Sequence, residues 1–567
     1  MAYFLKKSKQ QNRVYLSIYE SFYSPETNGT KHRCYKSLGN TDKLIASGIE
    51  DPIAYYQDVV NQLNESRKVE LQSKKEKERQ KQISDDSSER LIGYFPLCHI
   101  LNNLDVQDHF DYMQSNRNFH YSTYDIFKHL VYARAVSPVS KYKTYYDVLP
   151  KMCFDINYSY DQALDALEFI GSNYDKYIEI FTEATKQNYG IETSHAFFDC
   201  TNFYFEIDKE TDFQKRGPSK ENRHDPIVGL GLLLDANMIP IGMKMYPGNE
   251  SEKPILRQVV HDLKNQNNII GRTIQIADKG LNCAKNIIDA KNNGDGYIFS
   301  KSIKQLPAQE LKWVFNDEPY QEVYDYNGHI KYKYKSCIDE FEYSYTDNIT
   351  HKKYRKIIKE RRIVTFNPQL REKKLHEINK MIDKAVALKH SQAKKKEYGE
   401  SSRYINFTNE DGEKAIVTLN NEIIERDKQV AGYNMLVTSE YNMSEEEIYE
   451  AYHNLWRIEE TFRTMKSELD ARPAFVRKED TIKGHFFICY VTILLIRLLQ
   501  FKKYHNKYST REICEFMKTF KLIKYNEKKY INISKKTDFL NNLRDDLNLP
   551  VTNYYLTGSQ IKMMQNR

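Results

Sequence analysis

The chain has 567 residues, of which 40% are hydrophobic and 13% aromatic. This length predicts about three to four domains. The hydrophobic and aromatic content gives the chain apolar surface to bury, which excludes disorder of the whole chain. The formal net charge of +7 permits a polyanionic partner without requiring one. The eight cysteines include no C-x-x-C pair, so we expect a reducing compartment and no structural zinc site.

The chain shows no sign of membrane insertion at the sequence level. Its N-terminus lacks the apolar stretch of a signal peptide. The most apolar run, Phe486–Leu499, is too short to span a bilayer and includes Arg497, so it predicts a buried core helix. We therefore expect a soluble cytoplasmic protein with no membrane partner.

The N-terminal half begins with strands and continues as helices. Residues 1–91 combine alternating strand patterns and turn residues with a charged helical run, which predicts a small basic β-meander followed by a solvated helix. Residues 92–190 have apolar side chains at helical spacing. This second region is either a DNA-binding module or a helical packing layer, and the sequence leaves both alternatives open.

Residues 191–300 alternate between short apolar strands and helices, which predicts a mixed sheet with helical connections. Asp199 and Asp278 each follow directly after an apolar run, so we expect both at strand ends. Carboxylates at that edge of an α/β sheet face the region where ligands bind. Each aspartate taken alone could equally be a turn residue or a helix cap.

The alternation of short strands and helices stops after residue 300. Hairpin patterns and a basic helix predict a β-rich insertion domain over 301–432. Residues 433–500 resume the core with an apolar strand and a helix that begins at a capping box, Ser444-x-x-Glu447, and could extend to about residue 469. Residues 501–567 form a small C-terminal region.

Three side chains of that helix, Tyr452, Glu459 and Lys466, are spaced by seven residues. Seven residues turn an α-helix by about 700°, so the three would lie nearly in line, about 10 Å apart. Arg463 would lie on the same side as Glu459. A carboxylate between a phenol and an ammonium suits neighbouring phosphates of a nucleic-acid strand, although a solvated helix face has the same pattern.

The segment 452–466, YHNLWRIEETFRTMK, resembles the Y-x2-R-x3-E-x6-K signature of bacterial insertion-sequence transposases with a DDE catalytic triad. Three further segments resemble the same family: FDCTNFYFE at 198–206, GNESE at 248–252 and IADKGLNCAKN at 276–286. One position departs from the signature. Leu455 stands where the signature has Arg, and Arg457 would face away from Glu459, which leaves Arg463 as a conjectural substitute.

The resemblance implies an α/β catalytic core of the RNase H-like type, a mixed sheet flanked by helices and interrupted by the β-rich insertion. It implies that Asp199, Asp278 and Glu459 are the catalytic residues and bind two Mg²⁺ ions, which Mn²⁺ could replace. It further implies phosphate contacts from Tyr452, Lys466 and Arg463.

The implied activity is DNA transposition by cut-and-paste. The protein would bind the terminal inverted repeats of an insertion sequence, cleave DNA strands in a Mg²⁺-dependent reaction and join them to target DNA. It would act as a homodimer on double-stranded DNA in the bacterial nucleoid. A DNA hairpin intermediate would need an aromatic side chain to stack on a flipped base, and Trp313 and Trp456 are candidates for that contact or for the core.

Three other functions compete with this interpretation. An RNase H-like nuclease would use the same triad to hydrolyse strands without joining them. An inactive DNA-binding derivative of a transposase is disfavoured by the three intact carboxylates. A small-molecule α/β enzyme is disfavoured because no glycine-rich phosphate loop follows any predicted strand.

Overall fold

The computed structural model describes residues 2–10, 13–24, 29–79, 87–221, 224–266, 271–316, 319–347, 350–390, 395–408, 416–472, 474–526 and 528–566. It divides the chain into two compact units, Met1–Ser87 and Ser88–Arg567. The residues PETNG at 25–29 predict a turn, and most of them lie outside the described residues.

The first unit contains the predicted β-meander and charged helix. Its antiparallel sheet has the order β1-β2-β3, and two helices follow. Leu16 and Ile18 alternate along the middle strand and are buried, as expected of a strand with one covered face. The elements are β1 (Tyr3–Gln10), β2 (Arg13–Ser24), β3 (Gly29–Asn40), α1 (Thr41–Ala46) and α2 (Pro52–Arg79).

The second unit is a mixed α/β structure. Its strands are β4 (Glu89–Leu91), β5 (His195–Tyr204), β6 (Ile227–Leu234), β7 (Pro240–Pro247), β8 (Ile274–Ala277), β9 (Gly296–Lys301), β10 (Gln321–Tyr324), β11 (Ile330–Thr346), β12 (Lys353–Phe366), β13 (Ile405–Thr408), β14 (Ile416–Leu419), β15 (Tyr433–Thr438), β16 (Lys521–Asn526), β17 (Lys529–Asn532) and β18 (Tyr555–Thr557).

Its α-helices are α3 (Phe95–Leu104), α4 (Gln107–Gln114), α5 (Thr123–Val136), α6 (Lys141–Lys143), α7 (Tyr160–Ser172), α8 (Tyr174–Tyr189), α9 (Lys253–Gln266), α10 (Ala284–Asn292), α11 (Ala308–Phe315), α12 (Pro368–His390), α13 (Asn421–Gln429), α14 (Glu445–His453), α15 (Trp456–Arg463), α16 (Glu479–Arg497), α17 (Thr510–Thr519), α18 (Asp538–Leu547) and α19 (Gly558–Asn566). Segments Thr144–Val148, Thr464–Glu468 and Leu498–Lys503 are π-helical, and Leu149–Lys151, Ile303–Gln305 and Lys395–Tyr404 are 3₁₀-helical.

A large sheet organises the second unit. Within the described ranges it has nine strands in the order β10-β11-β12-β15-β9-β8-β5-β6-β7. The pairs β5–β8 and β8–β9 are parallel and the others are antiparallel. Strands β10, β11 and β12 come from the predicted insertion, yet they extend the core sheet because β12 pairs with β15 along Arg361–Phe366.

Helix α16 is the centre of the helical layer. Its apolar face and the apolar faces of α3, α5, α7 and α8 share one hydrophobic core, so residues 92–190 form a packing layer around it. Together with its π-helical extension, α16 covers Glu479–Lys503 and is long enough to cross a membrane, in contrast to the sequence prediction. However, 94% of its most apolar stretch is buried inside the protein.

The helix predicted to continue from residue 444 to about 469 is interrupted. The capping box of Ser444 and Glu447 begins α14 as expected, but α14 ends at His453 and α15 starts at Trp456. Between them the amide of Leu455 bonds to the carbonyl of Tyr452, three residues back instead of four. Tyr452 therefore belongs to a different helix from Glu459, and a tight turn interrupts the helix on which the three heptad-spaced side chains were predicted to lie in line.

Helices α7 and α16 approach closely at two glycines. A Cβ atom on Gly484 would lie 2.1 Å from the carbonyl oxygen of Leu167, and one on Gly171 would lie 1.7 Å from the carbonyl oxygen of Asp480. Neither backbone oxygen can move without shifting its helix. The packing of α16 in the core therefore requires glycine at both positions.

We expect Gly484→Ala to lower the free energy of unfolding by about 3 kcal/mol, because the added methyl group must push α7 and α16 apart. Urea unfolding of the full chain, followed by circular dichroism, measures the change. Gly558→Ala is the matched control, since no atom lies within 4 Å of its new Cβ. Equal destabilisation by both variants would contradict the close approach.

Candidate active site

Two carboxylates lie side by side where the pairing of two neighbouring parallel strands ends. The pairing of β5 with β8 ends at Phe198 and Ala277, so the next residue on each chain segment is an aspartate, Asp199 or Asp278. Neighbouring strands are about 4.8 Å apart. The register of the sheet thus brings together two carboxyl groups that are 79 positions apart in the sequence.

The prediction that both aspartates stand at strand ends is correct for Asp278 only. Asp278 opens a turn after β8, in which the amide of Leu281 bonds to its carbonyl oxygen. Asp199 lies inside β5, which continues to Tyr204 because it still pairs with β6 on its other side. Asp199 is one residue beyond the pairing of β5 with the shorter strand β8, but it is still paired with β6.

The third carboxylate comes from α15, which packs against β5. Glu459 is exposed and lines the same cavity as Asp199 and Asp278. We call this space, of about 570 Å³, the carboxylate cavity. Its walls are Asp199, Cys200, Thr201, Lys220, Asp278, Leu455, Glu459, Phe462, Arg463, Lys466, Ser467 and Arg472.

Burial raises the pKa of the Asp199 carboxyl to about 6. The ammonium group of Lys220 opposes this shift, whereas the negative charges of Glu252 and Asp278 add to it. Like charges in a poorly solvated site disfavour ionisation, and a cation placed among them would relieve that cost.

Tyr452 contacts one of the three carboxylates directly. Its hydroxyl donates a 2.9 Å hydrogen bond to Oδ1 of Asp278. Burial raises the pKa of the Tyr452 phenol, and the nearby charges of Asp278 and Glu459 contribute in the same direction. The phenol therefore stays protonated and fixes the orientation of one carboxylate.

Lys220 lies on the connection between β5 and β6 and enters the cavity from there. Its Nζ is 3.7 Å from Oδ1 of Asp199 and 3.6 Å from Oε1 of Glu252, and it donates to the carbonyl oxygen of Cys200. Burial lowers the pKa of the Lys220 ammonium, but the two carboxylates more than compensate and the net shift is upward. Lys220 is thus the resident counter-ion of Asp199.

The adjacent residue, Glu221, neutralises the cationic wall of the cavity. One of its oxygens accepts a 3.1 Å bond from Nζ of Lys466 and an ion pair from Arg472. Burial alone would raise the pKa of Glu221, yet hydrogen bonds from Arg472 and Lys466 hold it below its ordinary value. Lys220 therefore pairs with the acidic side of the cavity, and the adjacent Glu221 pairs with its basic side.

Leu455, which departs from the signature, is buried in the cavity wall. Arg457 lies elsewhere, with its guanidinium 5.6 Å from the ring centre of Trp456 and 5.8 Å from that of Phe501. Arg463 is exposed and lines the cavity close to Glu459 in the sequence. The structure thus places Arg463, and not Arg457, at the carboxylate cavity.

The structure does not bring either tryptophan to the wall of the carboxylate cavity. Trp313 is partly buried, and Nζ of Lys335 lies 5.3 Å from its ring centre. Trp456 is 52% exposed, on the side of α15 where Arg457 packs.

Sequence reasoning missed four side chains of the site: Lys220, Glu221, Glu252 and Arg472. Glu252 belongs to the segment GNESE, and Arg472 follows the signature, so both lie in or beside segments that carry the family resemblance. Lys220 and Glu221 lie in a polar connection with no periodic pattern. Only the folded chain reveals their position.

The carboxylate oxygens of Asp199, Asp278 and Glu459 suit Mg²⁺ or Mn²⁺ in chemical type. Among the residues that the structure describes, however, no three acidic, histidine or cysteine side chains converge as a ready-made metal cluster. Lys220 pairs with Asp199, and Tyr452 is bonded to Asp278. The donor atoms fit a divalent cation in chemical type, while in this structure Asp199 and Asp278 have partners within the chain.

Residues 192–495, more than half of the chain, match the family described as Transposase DDE domain. The chain therefore belongs to the DDE transposases, and its substrate is DNA. The matched region contains Asp199, Asp278 and Glu459 together with the insertion between them. Comparison with curated proteins gave no match.

We expect Asp199→Asn to raise the free energy of unfolding of the metal-free protein by about 2 kcal/mol at neutral pH. The folded-state pKa of about 6 exceeds the ordinary value of 3.8, so this carboxyl lowers stability progressively as the pH rises from about 4 to 6, and the full cost is present above pH 6. The gain should shrink as the pH falls below 6 and disappear near pH 3, where the folded and unfolded states are both largely protonated.

Urea unfolding in EDTA at the two pH values measures this difference. Asp212→Asn is the control, because its carboxylate lies on the same β5–β6 connection but is fully exposed. A gain that is independent of pH would show that burial of Asp199 is not the cause.

Proposed function

We propose that this protein binds the terminal inverted repeats of an insertion sequence, cleaves DNA strands there and transfers the ends to target DNA. The observation that carries the proposal is the carboxylate cavity. Asp199, Asp278 and Glu459 come from three distant segments and line one space together with Lys466 and Arg472. Phosphoryl transfer needs this combination of positioning and charge neutralisation.

Divalent metal ions, when bound, would activate the attacking oxygen and stabilise the leaving oxygen at the scissile phosphate. Asp199, Asp278 and Glu459 are the residues that would hold two Mg²⁺ ions. The raised pKa of Asp199 supports this assignment, because burial disfavours its ionised form, the charges of Glu252 and Asp278 add to that cost, and a bound cation would relieve it.

The remaining side chains of the cavity would position the DNA. Lys466, Arg472 and Arg463 would contact phosphates that flank the scissile one through charge-assisted hydrogen bonds. Tyr452 was expected to touch a phosphate as well, but its hydroxyl is bonded to Asp278. We therefore assign Tyr452 to the orientation of a catalytic carboxylate.

The topology supports an RNase H-like core. Strand β5 carries the first aspartate and is flanked by the antiparallel strands β6 and β7 on one side and the parallel strands β8 and β9 on the other. The second aspartate follows β8, and the glutamate lies on a helix against β5. This is the order of strand-Asp, strand-Asp and helix-Glu that the family resemblance implies.

A nuclease that hydrolyses without joining would use the same cavity, so joining of 3′ ends to a second duplex distinguishes the two functions. Cut-and-paste transposition further requires that two element ends be held together, for which we propose a dimer on DNA. Short inverted repeats flanking the coding region would supply the natural substrate for these assays.

We expect Asp199→Ala, Asp278→Asn and Glu459→Gln each to reduce Mg²⁺-dependent strand cleavage by about 100-fold or more, because each removes a metal ligand. The measurement is cleavage of a labelled duplex that contains the flanking repeats. Glu450→Gln is the control, since this exposed carboxylate lies on α14 outside the cavity. Full cleavage by Asp199→Ala would refute the proposed site.

DNA must replace the internal partners of the cavity before it can bind there. Glu221 occupies Lys466 and Arg472, and a phosphate group would compete with it for the same cations. Lys220, which pairs with Asp199 in this structure, would have to give up that partner if Asp199 held a metal ion. Substrate binding is therefore an exchange of ion pairs.

We expect Glu221→Gln to bind duplex DNA about 3- to 10-fold more tightly at low salt, because Lys466 and Arg472 lose their internal counter-ion. The dependence of log K on log salt should become steeper by about 1. Fluorescence anisotropy with a labelled duplex measures both quantities. Glu206→Gln removes an exposed carboxylate from the β5–β6 connection and serves as control.

Lys466→Ala should have the opposite effect on DNA binding and should leave Mn²⁺ binding, followed by electron paramagnetic resonance, unchanged. Weaker DNA binding by Glu221→Gln than by the control would mean that Glu221 supports the DNA-bound state instead of competing with DNA.

A further inference from the structure

Three basic side chains are buried together in the helical layer, outside the carboxylate cavity. Arg134 comes from α5, Lys141 from α6 and His485 from α16, and each is 8% exposed or less. We call these three residues the buried basic cluster. Among the described residues, the charges that act on Lys141 come from Arg134 and Cys489 and not from a carboxylate. Buried cationic groups without a carboxylate are tolerated only where hydrogen bonds to other groups replace it.

The cluster binds the backbone carbonyl groups of a single segment. Nη1 of Arg134 lies 3.3 Å from the carbonyl oxygen of Leu469 and 3.4 Å from that of Asp470. Nε2 of His485 lies 3.1 Å from the carbonyl oxygen of Ala471. Side chains from two different helices therefore bind three consecutive carbonyl groups.

Lys141 determines which nitrogen of His485 carries the proton. Nζ of Lys141 lies 3.1 Å from Nδ1 of the imidazole. Burial lowers the pKa of His485 well below its ordinary value, and the charges of Lys141 and Arg134 add to that shift. The imidazole is therefore neutral, and its Nδ1 accepts a hydrogen bond from Lys141. The ring proton then lies on Nε2, which donates to the carbonyl oxygen of Ala471.

The bound segment is the turn that follows the helix of Glu459. The π-helical residues Thr464–Glu468 continue α15, and the amide of Ala471 then bonds back to the carbonyl of Met465 at 3.0 Å. Within this turn Asp470 has a φ of 43°, a left-handed conformation that few residues other than glycine adopt. The carbonyl groups of such a turn need partners outside the helix, and the buried basic cluster supplies them.

The next residue, Arg472, connects the turn to the carboxylate cavity. Arg472 lines that cavity, forms an ion pair with Glu221 and has its guanidinium carbon 5.6 Å from the ring centre of Tyr204. The carbonyl group of Ala471 and the amide nitrogen of Arg472 belong to the same planar peptide unit. The hydrogen bond from His485 to that carbonyl therefore also fixes the direction in which the chain enters Arg472.

We propose that the buried basic cluster positions Arg472 for its contact with DNA. By binding the carbonyl groups of residues 469–471, the cluster holds the Arg472 guanidinium at the wall of the carboxylate cavity, beside the scissile phosphate. Arg134 and His485 are positioning residues, since they are not among the described residues that line the cavity, and Lys141 acts through His485. This inference rests on the proposed function and deepens it by naming the side chains that hold a phosphate contact in place.

The alternative is a purely structural role, in which Arg134 and His485 only provide partners for buried carbonyl groups. Their loss would then lower the stability of the fold but leave the DNA contact of Arg472 intact in the molecules that remain folded. The two roles differ in coupling. Variants of His485 and Arg472 act on the same phosphate contact if the cluster positions Arg472, and they act independently if it does not.

The test is a double-variant cycle in the full chain with Asp199→Asn, so that no strand is cut. His485→Phe keeps a buried aromatic ring but removes both ring nitrogens, and it is combined with Arg472→Gln. The matched control, Thr492→Val, removes a buried hydroxyl from the same helix, about two turns further on, where it bonds to carbonyl groups of α16 and α5. Fluorescence anisotropy with a labelled duplex gives the affinity over a range of salt concentrations, and circular dichroism checks that each variant is folded.

We expect Arg472→Gln to bind the duplex about 5-fold more weakly at moderate salt and to lower the salt slope by about 1, because one phosphate contact is lost. His485→Phe should have nearly the same effect, and the double variant should bind no more weakly than Arg472→Gln alone. His485→Gln should restore most of the affinity, since its amide nitrogen can donate to the carbonyl group of Ala471. Thr492→Val should change neither quantity.

A second variant keeps the test decisive if His485→Phe does not fold. Arg134→Lys retains the positive charge, but its compact ammonium group lacks the guanidinium fork that binds several carbonyl groups at once. It should weaken DNA binding by about the same factor as Arg472→Gln and show the same coupling with that variant.

Additive effects of the cluster variants and Arg472→Gln, or wild-type affinity and salt slope in either cluster variant, would overturn the inference. So would unchanged DNA binding by Arg472→Gln, because there would then be no contact to position. If the protein with Asp199 intact cleaves DNA in spite of such a result, the positioning role alone is refuted. Coupled losses of DNA binding without any cleavage or joining by that protein would instead refute the proposed function and leave the positioning role in place.

Discussion

The parallel pairing of β5 with β8 is the interaction on which the carboxylate cavity depends. Its register ends at Phe198 and Ala277, which makes Asp199 and Asp278 neighbours across the sheet. Helix α15 packs against β5 and adds Glu459 from a segment far along the chain. A shift of β8 by one residue would turn its alternate side chains to the opposite face and separate the two aspartates.

The cavity balances its charges within the chain. Lys220 and Glu221 are consecutive, yet one pairs with the acidic side of the cavity and the other with its basic side. Ion pairs in a partly buried site are stronger than the same pairs in water, and an unpaired charge there is costly. Both the acidic and the basic side of the cavity have a counter-ion. An incoming phosphate and metal ions would replace both partners, which would link substrate binding to the position of the β5–β6 connection.

Several features could be predicted from the sequence because they depend on local pattern. The meander at 1–40, the apolar strand 227–234 and the capping box at Ser444 all follow from spacing and residue type. The interruption between α14 and α15 did not follow from spacing, since heptad positions assume an unbroken helix. The insertion strands also joined the core sheet, because hairpin patterns specify strands but not their neighbours.

The sequence by itself determined the acidic residues Asp199, Asp278 and Glu459 as candidates and the resemblance to DDE transposases that the family match supports. Only the tertiary structure decided that Tyr452 bonds to Asp278, that Leu455 lies in the cavity wall and that Glu221 meets Lys466 across 245 positions of sequence. Side-chain periodicity reports which face of one element is buried. It carries no information about which distant elements meet, because that is set by the packing of whole strands and helices.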